Sequence, residues 1–73
     1  MKPFSGKELV KILCNEYGFQ ISRQKGSHVM LSKQTSEGKV GTVVPMHKEL
    51  KAGTLHGILK LAGIDIADFF KHV

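Results

Sequence analysis

The sequence is poor in the residues that build disulfide frameworks, metal centres and membrane spans. Its 73 residues include one cysteine, Cys14, two prolines and no tryptophan, so neither an internal disulfide nor a cysteine-based metal site is available. No apolar run approaches the roughly 20 residues of a transmembrane helix, and the first residues turn polar without the apolar region of a signal peptide. We therefore expect a cytoplasmic protein that does not enter a membrane, with Cys14 as a small buried hydrophobic side chain.

Acidic residues are also scarce. Six Asp/Glu stand against eleven Lys/Arg, which gives a net charge of +5, and residues 17–36 contain Arg23, Lys25 and Lys33 but no acid. An acid-free basic stretch favours a polyanionic partner, nucleic acid ahead of an anionic membrane, with a solvated basic surface as the alternative.

A single domain over residues 1–73 has little interior for a deep pocket, so we expect a surface site that suits a large partner.

Hydrophobic periodicity predicts a first helix followed by three strands. Residues 5–8 match the S-x-x-E capping box, and the apolar stripe that follows predicts a helix that ends at Gly18. Three runs alternate in hydrophobicity as strands do: residues 19–24, residues 27–33 and residues 39–44, the last of them stopped by Pro45. The predicted hairpin loops between these strands are Lys25-Gly26 and residues 34–38.

Cap residues predict how the chain continues after the strands. Thr54 can cap a second helix that ends at Gly63. Asp65 can cap a last short turn, which would pack Phe69 and Phe70 back onto the body of the protein. The predicted fold class is therefore α+β, with the order α-β-β-β-α and a three-stranded antiparallel sheet that carries two helices on one face.

Alternation along the second strand places His28 on the open face of this sheet. If Val29 and Leu31 face the helices, His28 faces solvent. In the first strand the same rule turns Phe19 and Ile21 inward, and it leaves three polar residues outside: Gln20, Ser22 and Gln24. The pattern alone also allows a histidine that simply fills a half-exposed strand position.

Two blocks of the sequence resemble the HicA family of toxins from type II toxin–antitoxin systems, also called YcfA-like. They are Gly-Ser-His at residues 26–28 and a segment at residues 44–64 that contains Val-Pro-Met-His, Gly-Thr-Leu, Ile-Leu-Lys and Ala-Gly-Ile. The resemblance covers nearly the whole chain. It implies a fold like that of double-stranded-RNA-binding domains, an mRNA-cleaving endoribonuclease that arrests translation, a cognate HicB-like antitoxin, and His28 as the catalytic residue.

The residue types around His28 suit this chemistry. An imidazole exchanges protons near neutral pH, so His28 can act as general acid or base on RNA, while Arg23 and Lys25 stabilise the phosphate charge. The sequence offers no carboxylate cluster for Mg²⁺ and no zinc-ligand spacing, which favours cleavage without a metal or another cofactor. The expected RNA-binding residues are Arg23, Lys25, Gly26, Ser27, His47, Lys48 and Lys51.

Several of these residues have a structural alternative. His47 follows the third strand and suits either a second acid/base or a role in holding the turn. Lys48 and Lys51 precede the helix start expected near Thr54, where free N–H groups favour a phosphate, and simple surface charge is the alternative. His72 lies next to the end of the sequence, where we expect no defined role.

The basic face predicts what binds this protein. We expect mRNA and a HicB-like antitoxin whose acidic surface covers the face that carries His28, and we expect the free toxin to be a monomer. Two other interpretations remain open. One is a non-catalytic RNA-binding module of the same fold, which grips phosphates and 2′-hydroxyls, and the other is a protein-binding element whose basic face docks an acidic partner.

Overall fold

A computed structural model describes residues 4–71 of the chain, so His72 lies outside the described residues. The elements in chain order are α1 (Gly6–Tyr17), β1 (Gln20–Lys25), β2 (His28–Thr35), β3 (Gly38–Pro45), α2 (Ala52–Leu61) and α3 (Ile66–Lys71). The strands form one antiparallel sheet in the order β1-β2-β3. This α+β arrangement confirms the predicted order, and the predicted last turn forms the short helix α3.

Helix α1 begins and ends at the residues that the sequence predicts. The Ser5 hydroxyl accepts a hydrogen bond from the Glu8 N–H at 3.0 Å, and the Glu8 carboxylate accepts one from the Ser5 N–H at 3.1 Å. At the other end Gly18 takes the left-handed conformation, with φ of 73°, which glycine adopts without strain. Cys14 is half-buried against the core rather than fully buried.

The core lies between the inner face of the sheet and the helices. Its largest fully buried side chains are Phe69, Leu9, Leu13, Leu31, Leu59 and Val44. The Phe69 ring meets those of Phe4, Tyr17 and Phe70 at centroid distances of 5.7, 6.2 and 5.4 Å. The Asp65 carboxylate accepts a hydrogen bond from the Asp68 N–H at 3.0 Å, so the predicted cap that packs Phe69 and Phe70 is confirmed. Burial raises the pKa of Tyr17, and the Asp68 and Glu16 carboxylates raise it further.

The predicted cap of α2 is wrong. The helix begins at Ala52, and its N-cap residue is Lys51, which makes no side-chain capping bond. Thr54 therefore lies inside the first turn. The preceding residue Leu50 is buried, and its N–H donates to the Phe4 carbonyl at 2.7 Å, so tertiary contacts fix where the helix starts and override the preference for a threonine cap.

Phe19 and Ile21 both face inward, as predicted, but only Phe19 is buried. Ile21 is 56% exposed, whereas its β2 partner Leu31 is 1% exposed. Directly opposed residues of an antiparallel pair share a face of the sheet, so Ile21 lies on the inner side. The main contacts of α1 and α2 with the sheet are to β3. The edge strand β1 is therefore left without a helix over it.

Candidate catalytic site

The hairpin between β1 and β2 fixes the position of His28. The two loop residues are Gly26 and Ser27, one position later than predicted, because Lys25 still pairs with His28. Gly26 has a φ of 59°, and a glycine with positive φ at the first loop position is what a type II′ turn requires. The Gln24 side-chain amide donates to the Gly26 carbonyl at 3.2 Å. His28 is thus the first residue of the central strand, directly after a two-residue turn.

His28 is exposed on the face of the sheet away from the core. Its strand neighbours Val29 and Leu31 are 3% and 1% exposed and face the helices, which confirms the predicted side for His28. As the central strand, β2 pairs on both sides, so His28 lies opposite Lys25 on β1 and Pro45 on β3. The backbone of His28 is therefore held by two neighbours while the imidazole is accessible to a large substrate.

A β-bulge in β1 brings two cations onto the same face. Ile21 pairs with Leu31 and Arg23 pairs with Met30, so Ser22 is an extra residue in β1. Simple alternation predicts that Gln24 points outward. That prediction is wrong, because after the bulge Gln24 pairs with the buried Val29.

The same shift turns Arg23 and Lys25 outward. Arg23 lies opposite Met30 and Lys25 lies opposite His28, and opposed residues share a face. The Ser22 hydroxyl donates to the Met30 carbonyl at 3.1 Å across the bulge. Bulges re-aim side chains in this way near functional sites. The result is an exposed imidazole and two exposed cations on one open face.

The segment after β3 completes the surroundings of His28. Pro45, the last residue of β3, lies opposite His28, and the next N–H, that of Met46, donates to the Ser27 carbonyl at 2.6 Å. His47 is exposed, and its carbonyl accepts a hydrogen bond from the Gly6 N–H at 2.9 Å. The structure therefore places His47 two residues from the strand partner of His28, with its backbone holding the turn and its side chain in solvent.

Lys48 and Lys51 lie on the connection from this segment to α2, and both are exposed. Lys51 is the N-cap residue itself, because the helix begins at Ala52, before the predicted start. The first turn of α2 contains no acidic residue and no side-chain cap. Its free N–H groups and the positive end of the helix dipole favour an anion there.

The family model described as the HicA toxin of bacterial toxin–antitoxin systems matches residues 6–64. The chain belongs to the HicA toxin family. Membership makes this protein the toxin of a toxin–antitoxin pair and implies an antitoxin partner. No curated protein and no solved structure matched the chain.

The candidate site of this HicA toxin is an open surface. A groove elsewhere on the molecule is lined by residues that include Tyr17, Phe19, Lys39 and Asp65, and none of the predicted site residues lines it. Within residues 4–71, no group of three His, Cys, Asp or Glu side chains is arranged to hold a metal ion. None of the helices in the same range is both long and apolar enough to cross a membrane.

One residue near the candidate site of this HicA toxin is not marked by any sequence motif. Gly6 is the first residue of α1 and is buried against the end of β3. The one signal in the sequence is a glycine in the first turn of a well-capped helix, a place where nearly every other residue forms helix better.

Proposed function

We propose that this toxin is a metal-independent endoribonuclease that cleaves mRNA in the cytoplasm and thereby arrests translation, with His28 as general acid or base. The single observation that carries the proposal is the open face on which the β1 bulge sets Arg23 and Lys25 beside an exposed His28. That combination offers a proton-transfer group and fixed positive charge to an extended anion. An open face also suits a polymer better than a small molecule.

RNA supplies its own nucleophile for this reaction. As the 2′-oxygen attacks the adjacent phosphorus, His28 takes the 2′-hydroxyl proton, the bond between phosphorus and the 5′-oxygen breaks, and a second acid protonates that leaving oxygen. His47 is the candidate for the second acid, because it follows the strand partner of His28 by two residues. One positioned proton-transfer group contributes typically ~10²–10⁴-fold. Arg23 and Lys25 would stabilise the charge that develops on the phosphate.

The remaining predicted residues would bind the RNA backbone. Gly26 and Ser27 form the two-residue turn directly before His28. Lys48 and Lys51 extend the positive surface toward the uncapped start of α2. Contacts of this kind neutralise phosphates without reading sequence, so affinity for RNA should fall steeply with salt.

The proposed partner is a HicB-like antitoxin with an acidic surface that covers the His28 face. Family membership implies an antitoxin, and the exposed Arg23 and Lys25 favour an acidic one. Opposite charges on two partners accelerate their encounter and orient them. We propose that the free toxin is a monomer, which leaves this face available to either RNA or antitoxin.

The chemistry of the RNA ends tests the proposed reaction. Attack by the 2′-oxygen leaves a 2′,3′-cyclic phosphate and a 5′-hydroxyl, and no metal takes part. We expect purified toxin to give these ends on synthetic RNA at the same rate with and without EDTA. A 3′-hydroxyl with a 5′-phosphate, or loss of cleavage in EDTA that Mg²⁺ restores, would refute it.

A further inference from the structure

Gly6 brings the start of α1 into close contact with the strand end that faces His28. Its N–H donates to the His47 carbonyl at 2.9 Å, and the Leu50 N–H donates to the Phe4 carbonyl at 2.7 Å. These two bonds join the chain on either side of the α1 cap to the connection between β3 and α2. The contact leaves no room for a side chain: a Cβ on Gly6 would overlap the Pro45 carbonyl oxygen and lie 2.9 Å from the Met46 Cα.

The two residues with which such a Cβ would clash are the ones that contact the Gly26-Ser27 turn and His28. Pro45 is the β3 partner of His28. Met46 donates its N–H to the Ser27 carbonyl at 2.6 Å. A displacement of this backbone would therefore pass directly to Ser27 and His28, through one strand pair and one hydrogen bond.

We propose that Gly6 is a positioning residue for His28, through the backbone of Pro45 and Met46; the proposal rests on the proposed function. Because Gly6 has no Cβ, the start of α1 can pack directly against the Pro45–Met46 backbone. This contact fixes the position of that backbone next to Ser27 and His28. His47 is held by the same contact, since its carbonyl is the acceptor for Gly6.

Helix formation does not by itself call for a glycine here. The reciprocal bonds of Ser5 and Glu8 already cap α1, and glycine is among the poorest helix formers. The φ of Gly6 is not positive either, so any residue could adopt its backbone conformation. The close approach to Pro45 and Met46 is the physical reason for glycine at this position.

Three substitutions distinguish a role of Gly6 in positioning His28 from an effect of Gly6 on the stability of the fold. Gly6→Ala adds the obstructing Cβ. Ser5→Ala removes the capping box one residue away and weakens the same turn without adding an atom near Pro45 or Met46. Gly57→Ala, at an exposed site of α2 with open space around a Cβ, raises helix propensity and is combined with Gly6→Ala to restore stability. Folded fractions come from urea unfolding followed by far-UV circular dichroism.

The readouts are the single-turnover cleavage rate at saturating RNA and the Kd for a 2′-O-methyl copy of a mapped cleavage site, which lacks the nucleophile. We expect Gly6→Ala/Gly57→Ala to cleave about 10- to 100-fold more slowly, since small misplacements of catalytic groups cost this much, with an unchanged Kd. Ser5→Ala should cleave at the wild-type rate per folded molecule. A merely structural role would lower rate and binding together, in proportion to the folded fraction.

His28→Ala, measured alongside, distinguishes the two proposals. If His28→Ala is inactive and Gly6→Ala/Gly57→Ala cleaves at the wild-type rate, the positioning role is wrong and the proposed function stands. If His28→Ala cleaves at the wild-type rate, the proposed function fails and the positioning role fails with it.

Discussion

At the scale of single residues, the site depends on one extra residue in β1. Period-two alternation predicts the faces of β2 correctly, because β2 pairs regularly with β3 along its whole length. It fails in β1 after Ser22, where the bulge shifts the phase of the strand by one residue. Nothing in the local sequence marks this bulge, since its hydrogen bond is to the Met30 carbonyl on the next strand. Under the proposed function this shift matters, because it places Arg23 and Lys25 on the same face as His28.

The bulge leads to a prediction about Arg23. We expect Arg23→Ala to slow RNA cleavage by about 10-fold or more, because a fixed cation that faces the reacting phosphate is lost. Lys11→Ala removes the same charge from an exposed position on α1 and should change the rate by less than about 2-fold at physiological salt, where distant surface charges are screened. The measurement is the single-turnover rate on one synthetic RNA. Equal effects of the two variants would mean that only net charge matters.

At the scale of elements, the sequence predicts the helix ends that depend on residues close together in the chain. The capping box of α1 and the glycines that end helices are short-range features, and the structure has them where the sequence places them. The start of α2 and the exposure of Ile21 depend on other elements. The Leu50 N–H is bonded to the carbonyl of Phe4, which is far away in the sequence, and the helices pack mainly on β3 rather than on β1. Such long-range placement has no signature in a single window of sequence.

Ser5, which caps α1, and Thr54, which does not cap α2, lead to different predictions for stability. Ser5→Ala should lower the free energy of unfolding by about 1 kcal/mol, because two reciprocal capping bonds are lost. Thr54→Ala should change it by less than about 0.5 kcal/mol, because Thr54 is exposed and lies inside the first turn of α2. Urea unfolding followed by circular dichroism measures both. A loss of about 1 kcal/mol for Thr54→Ala would show that the helix starts at Thr54 after all.

At the scale of the whole molecule, charge and openness decide which partners fit. The chain carries a net charge of +5, and Arg23, Lys25, Lys48 and Lys51 are all exposed. RNA and an acidic antitoxin both complement such a surface. They would compete for it, so an antitoxin that covers this one face would silence the toxin.

Competition for this face predicts how the antitoxin binds. We expect the product of the neighbouring reading frame to copurify with the toxin and to relieve growth arrest. Lys25→Glu should slow its association by about 10-fold or more at low salt, since it reverses a charge on the covered face. Lys60→Glu makes the same charge change on an exposed residue of α2 and should have a much smaller effect. Equal slowing by both variants, measured by stopped-flow or biosensor kinetics, would place the antitoxin elsewhere.

The most direct test of His28 as the catalytic group is a map of RNA 5′ ends after induction of wild type, His28→Ala and His56→Ala. His56 is an exposed histidine on α2 and serves as the control. Wild type and His56→Ala should arrest growth and produce new 5′-hydroxyl ends. His28→Ala should cleave RNA at least about 10²-fold less than wild type, although it folds and binds 2′-O-methyl RNA as wild type does. Cleavage by His28→Ala at the wild-type rate, or growth arrest by this variant without any cleavage, would contradict the catalytic role of His28.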